Sequence, residues 1–135
     1  MARRFLVWAA SGLIAVGLAG CATGDGFPIF DREPTAQDEL PSDFPAIDLE
    51  GYNVDSLRFA GNHEDVDLFV IRMENGTPCL MVEAGQRSSI GCGGGGSVEV
   101  STQGVGTFRL GPAPMPSQDG WTVVSENVQA SDGEE

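Results

Sequence analysis

Four groups of residues have the types that chemistry requires. The stretch His63-Glu64-Asp65-Val66-Asp67 puts one imidazole and three carboxylates within five positions. Oxygen ligands of that kind suit a hard cation such as calcium. The spacing is not that of an EF-hand loop and no H-E-x-x-H is present, so the ordinary reading is a solvated turn between two strands. The run Gly91-Cys92-Gly93-Gly94-Gly95-Gly96 could offer backbone N–H groups to a phosphate, but such a site needs a following helix and a cation. Here Ser97-Val98-Glu99-Val100 reads as a strand, which makes the glycines a flexible hairpin connection. Ser88 and Ser89 could act as nucleophiles only with His63, the single histidine, and no G-x-S-x-G elbow supports them. Cys79 and Cys92 form the fourth group; without a C-x-x-C they suit a structural bridge better than redox or metal chemistry.

Composition narrows the field further. The 135 residues include 20 Asp and Glu against 7 Arg, with no Lys, for a net charge of −13. Without lysine there is no P-loop of the G-x-x-x-x-G-K-[ST] type and no Schiff-base chemistry. An acidic chain with no basic stripe is a poor partner for nucleic acid. No nucleophile–base pair emerges, so no catalytic residues are assigned, and nothing implies a cofactor. The metal site likewise stays unassigned, with His63, Glu64, Asp65 and Asp67 as its weak candidates.

The N-terminus reads as an address. Arg3-Arg4 precede an apolar run from Phe5 to Ala19, shorter than the roughly 20 residues of a membrane span. The run ends in Leu18-Ala19-Gly20-Cys21, which resembles the lipobox of bacterial lipoproteins at all four positions. The resemblance implies cleavage before Cys21 and a diacylglyceryl thioether on its sulfur, with the mature protein lipid-anchored on the extracytoplasmic face of the cell membrane. The acidic Pro-Thr-Ala-Gln-Asp-Glu-Leu-Pro stretch (34–41), and Cys79-Leu80-Met81-Val82 followed by a cysteine in the next strand, extend it to small lipoproteins of high-GC Gram-positive bacteria.

Four segments follow from composition. Residues 1–20 are the signal peptide, and 21–46 are a lipid-anchored, acidic, Pro-rich tether expected to be disordered. Within it, Thr35 as N-cap with Asp38 three residues on could form one helical turn closed by Pro41. Residues 47–129 form the extracytoplasmic β domain, and 130–135 are a disordered acidic tail.

Short Val-, Ile-, Phe- and Leu-rich runs at 56–60, 66–73, 78–84, 88–92, 97–102, 106–110 and 121–128 predict an all-β fold: an antiparallel sheet, sandwich or partly open barrel of about 6–7 short strands. Trp121, Phe59, Phe69 and Phe108 fall on these runs and read as core. Three turns set registers. Asn75-Gly76 as a type I′ turn pairs 71 with 80 and 69 with 82, placing Phe69, Ile71, Leu80 and Val82 on one face. Gly85-Gln86 as a II′ turn pairs 84 with 87, and hence 79 with 92 at a non-hydrogen-bonded position, where Cα atoms lie about 4.5 Å apart. That is within reach of a disulfide, so Cys79 and Cys92 are expected to be bridged. An odd-length loop around Gln103-Gly104, with a bulge at Gly104 or Gly106, pairs Val100 with Phe108 and Val98 with Leu110. Pro112, Pro114 and Pro116 form a loop before the last strand.

Anchor and domain together describe a binding or interaction module of the cell envelope, whose partner is an envelope protein or ligand the sequence does not name. The alternatives are an inhibitor of an extracellular enzyme, which would present a protruding, rigid loop at 111–120, and a small envelope hydrolase, which would need a pocket converging on His63.

Overall fold

In the computed structural model, residues 26–40, 48–85 and 87–132 are described. They build eight strands: β1 Tyr52–His63, β2 Val66–Met73, β3 Pro78–Ala84, β4 Arg87–Cys92, β5 Val98–Thr102, β6 Gly106–Leu110, β7 Trp121–Ser125 and β8 Val128–Ser131. All pairing is antiparallel, in two sheets ordered β1-β2-β3-β4 and β5-β6-β8-β7. The all-β expectation holds, as two stacked sheets without barrel closure.

Two of the three predicted registers are observed. Ala84 pairs with Arg87, Val82 with Ser89 and Met81 with Ile90, which brings Cys79 opposite Cys92. The disulfide is formed, with the Cα atoms 4.0 Å apart. Val100 pairs with Phe108 and Val98 with Leu110. The third register is one residue off. Ile71 faces Cys79 and Phe69 faces Met81, where a type I′ turn would have put 80 and 82. Only Gly76 takes positive φ, at +88°; Asn75 does not. Gly76 N–H donates to Met73 O at 2.8 Å and Met73 N–H to Thr77 O at 2.9 Å, so the loop holds one more residue than a two-residue hairpin.

That single residue changes which side chains of β3 share a face with those of β2, because a slip of one sends every side chain of a strand to the other face. Leu68, Val70, Leu80 and Val82 point toward the second sheet, where they pack with Val100, Phe108, Leu110, Val128 and Ala130. Phe69, Ile71, Cys79 and Met81 point the opposite way and form a second cluster with Leu57. Leu68, Val70, Ile71 and all four residues of Cys79-Leu80-Met81-Val82 have no exposed surface. A sheet buried on both faces reads as continuous apolar runs rather than alternation, and these runs are continuous.

Both faces therefore need covers. Leu40, Leu49 and Tyr52 pack against the outer cluster, with Phe59 and Phe69 edge to face at 5.4 Å. A strap ahead of the strands closes the inner one. Phe27 and Ile29, on a 3-10 turn over Pro28–Phe30, are 4% and 6% exposed and join the inter-sheet core. The boundary expected at residue 46 therefore falls earlier in the chain: 26–40 is packed on the domain, because its apolar residues have a core to enter. Residues 41–47 lie outside the described residues. The far boundary moves as well. The run 121–128 is not one strand but a hairpin turning at Glu126-Asn127, and β8 continues through Ala130, which is fully buried. Residues 133–135 lie outside the described residues.

A charged fork fastens the strap. Arg32 donates to Asp38 through Nη1 at 2.8 Å and Nη2 at 2.7 Å. Asp38 Oδ1 also accepts the N–H of Phe59 at 2.7 Å, while Arg32 Nη2 donates to Phe59 O at 3.1 Å. The two side chains thus satisfy both backbone groups of one residue on edge strand β1, as a neighbouring strand would. The predicted helical turn is present over Ala36–Asp38, with Thr35 N–H on Asp38 Oδ2 at 2.5 Å. Arg72 stacks over Phe30 at 4.2 Å. Asn127, fully buried, donates to Gly26 O at 2.8 Å and Gly111 O at 2.9 Å.

Two outcomes follow. The Arg32 guanidinium holds the Asp38 carboxyl well below the usual carboxylate range; the N–H groups of Phe59 and Thr35 act in the same direction, against burial. A depressed folded-state value stabilises above the unfolded pKa of about 3.9, and that stability is lost as pH falls. Asp38→Asn is expected to cost about 1–2 kcal/mol at pH 7, a figure held down by the 41% exposure of Arg32, and to flatten the fall in stability below pH 5. Urea melts of both proteins across the acid range measure this. Cys79→Ser opens a bridge spanning a sequence separation of 13 and is expected to cost about 3 kcal/mol, read as a lower melting temperature in oxidising buffer.

Candidate functional site

Three hairpin ends meet at one end of the sandwich: Glu64-Asp65 between β1 and β2, Gly85 between β3 and β4, and 103–105 between β5 and β6. They enclose an open crevice of about 510 Å³. Val66, Ala84 and Val105 supply its apolar lining, and Glu64, Asp65 and Arg87 its charges.

The first of these turns is tight. His63 pairs directly with Val66, leaving two loop residues, and both take positive φ: Glu64 at 49° and Asp65 at 68°. This is the φ signature of a type I′ turn, which favours Asn-Gly. Asp, like Asn, visits that region readily, whereas Glu64 holds it at a cost of about 1 kcal/mol or more. Sequence reading placed the type I′ turn at Asn75-Gly76, where the residues suit it. The structure builds one at Glu64-Asp65, where Glu64 does not.

The opposite wall is Arg87. Its Nη1 donates to Gln103 O at 2.5 Å, tying the β3–β4 end to the β5–β6 end. Gly104 makes this possible: a Cβ there would sit 2.7 Å from Arg87 Nη1, and its φ of +76° suits glycine.

The four weak metal candidates do not converge on one point. Glu64 and Asp65 line the crevice. His63 packs edge to face on Phe108 at 6.4 Å, its Nε2 3.7 Å from Glu64 Oε2. Asp67 turns away and accepts from Asn62 Nδ2 at 2.9 Å. Among the described residues no three His, Cys, Asp or Glu side chains are grouped to hold a metal ion. Adjacent positions at a strand end point to opposite faces, and that divides a cluster dense in sequence.

The other candidates fall in separate places. Ser89 Oγ accepts from Thr102 Oγ1 at 3.0 Å across the seam between the sheets, and Ser88 Oγ is buried, so neither serine is brought to His63. The glycine run makes a turn closed by Gly96 N–H on Gly93 O at 3.0 Å and leads into strand β5, with no helix. The loop at 111–120 is tied down: Ala113 N–H donates to Gly26 O at 2.7 Å, and Gln129 Nε2 to Pro116 O at 3.0 Å. A larger apolar groove of about 780 Å³, lined by Pro34, Leu40, Val54 and Leu57, borders the point where the described chain stops at Leu40. Cys21 and the signal segment 1–20 lie outside the described residues.

Replacing Glu64-Asp65 by Asn-Gly removes the positive-φ cost at the crevice turn. The double variant Glu64→Asn/Asp65→Gly is expected to be about 1–2 kcal/mol more stable than wild type, read as a higher melting temperature.

Comparison with protein families, with curated proteins and with solved structures finds no match to this chain.

Proposed function

We propose that this protein is a lipid-anchored binding module on the extracytoplasmic face of the cell membrane. The observation that carries the reading is the tetrapeptide Leu18-Ala19-Gly20-Cys21, at the end of an apolar run behind Arg3-Arg4. The cysteine pattern supports it. Of three cysteines, Cys79 and Cys92 are joined, which suits an oxidising, exported setting, and Cys21 is left for the lipid. Two acyl chains hold a protein at a bilayer where one is marginal, since each buried methylene contributes about 0.8 kcal/mol.

The early start of the folded domain bears on geometry. Between a lipidated Cys21 and Gly26, the first described residue, five peptide steps reach at most about 18 Å. The domain would then sit close to the head groups rather than at the end of a long tether. Its acidity opposes adhesion to anionic lipid, so the acyl chains alone hold it there. The same acidity makes it a poor partner for nucleic acid.

Fractionation tests the reading. The wild-type protein is expected with the membranes and released only by detergent, whereas Cys21→Ala moves it to the soluble extracytoplasmic fraction. Recovery of the wild type from the cytosol, with no change on substitution, would overturn it.

A further inference from the structure

We propose that the crevice at the hairpin ends binds a small zwitterion of amino-acid or dipeptide size, its carboxylate on Arg87 and its ammonium on Glu64 and Asp65. The proposal rests on the binding-module reading above and names that module's ligand class.

The arginines carry the argument. Among the described residues, Arg32 is paired with Asp38, and Arg58 is buried among the carbonyls of Arg32, Asp55 and Leu57. Arg109 lies over Trp121 and reaches Glu99, while Arg72 lies over Phe30. Among the described residues Arg87 has one hydrogen bond, to Gln103 O, and no carboxylate within 4.0 Å. A guanidinium has five N–H donors in a planar fork suited to a carboxylate. One of Arg87's is engaged, and that bond, with the space left by Gly104, fixes where the group sits.

Glu64 and Asp65 face the same crevice without closing on Arg87. Opposite charges held apart around about 510 Å³ of open space are bridged by a molecule carrying both signs. Single-sign ligands fit less well: an anion meets two carboxylates on a chain of net charge −13, and a simple cation makes no use of Arg87. Val66, Ala84 and Val105 give an apolar body somewhere to rest.

The turn supplies an independent indication. A solvated hairpin tip has no need of Glu at φ 49°, where Asn would sit without strain, while Asp65 at 68° is tolerated. Backbone strain held against an easy remedy points to use of the side chain that causes it.

Three peptides test this on the purified full-length protein in detergent: alanyl-alanine, its C-terminal amide, and its N-acetyl form. Titration followed by amide chemical shifts is expected to show alanyl-alanine moving residues 64–66, 87 and 104–105, with each blocked peptide at least about tenfold weaker. Arg87→Gln should bind alanyl-alanine no better than wild type binds the amide. Glu64→Asn/Asp65→Gly should keep its fold, with a raised melting temperature, while affinity falls at least about tenfold. Equal affinity for the three peptides, shifts elsewhere on the surface, or full binding by the folded double variant would overturn the proposal. A negative titration with Cys21-dependent membrane recovery would reject the ligand and leave the anchored-module reading standing.

Discussion

Sheet β1–β4 is apolar on both faces, and the rest of the molecule covers one face or the other. Leu68, Val70, Leu80 and Val82 on one side, and Phe69, Ile71, Cys79 and Met81 on the other, are almost wholly withdrawn from water. Burying side chains of this size contributes about 1.5–3 kcal/mol apiece, so no arrangement leaving either face open competes. The second sheet closes the inner face, together with Phe27 and Ile29 of the strap. On the outer face Leu40 and Leu49, from outside the strands, pack against a cluster that includes Leu57 of β1 itself. Residues that resemble a linker by composition become structural because the central sheet has an excess of apolar surface to cover.

Charge is distributed to serve those covers. The chain has no lysine, and its arginines act as planar, multidentate fasteners rather than as a solubilising surface. Arg32 and Asp38 stand in for a missing strand at Phe59. Arg58 ties β1 to the strap through Arg32 O, and Arg72 lies over Phe30. Each links a cover to the sheet beneath it. Arg87 has a different place: it joins two hairpin ends and otherwise faces an open crevice.

The contrast between core and hairpin ends is also one of strain. The core is satisfied, with the apolar residues of β2 and β3 buried on both faces. The Glu64-Asp65 turn keeps a backbone conformation that Glu64 disfavours. A protein that satisfies its core and leaves strain at a charged crevice separates stability from the place where its surface can do something.

The sequence by itself determined the fold class, the disulfide and two of three strand registers. Local rules sufficed there: alternation marks strands, the Gly85 turn sets 84 against 87, and counting outward brings Cys79 to Cys92. The export and lipidation signal proposed for residues 3–21 is likewise read from linear sequence alone. The sequence misled where a local preference did not hold. Asn75-Gly76 favours a two-residue turn, yet the loop holds three residues; β2 and β3 are apolar on both faces, so side-chain alternation does not pin their register. Residues 63–67 read as a solvated turn with weak metal candidates, and strand geometry with the packing of His63 on Phe108 leaves Glu64 and Asp65 in the crevice. Arg87 and Gly104 carry no sequence signal joining them to that turn. The crevice exists because three hairpins end at the same level, and only the stacking of two sheets, driven by burial at long sequence separation, sets that level.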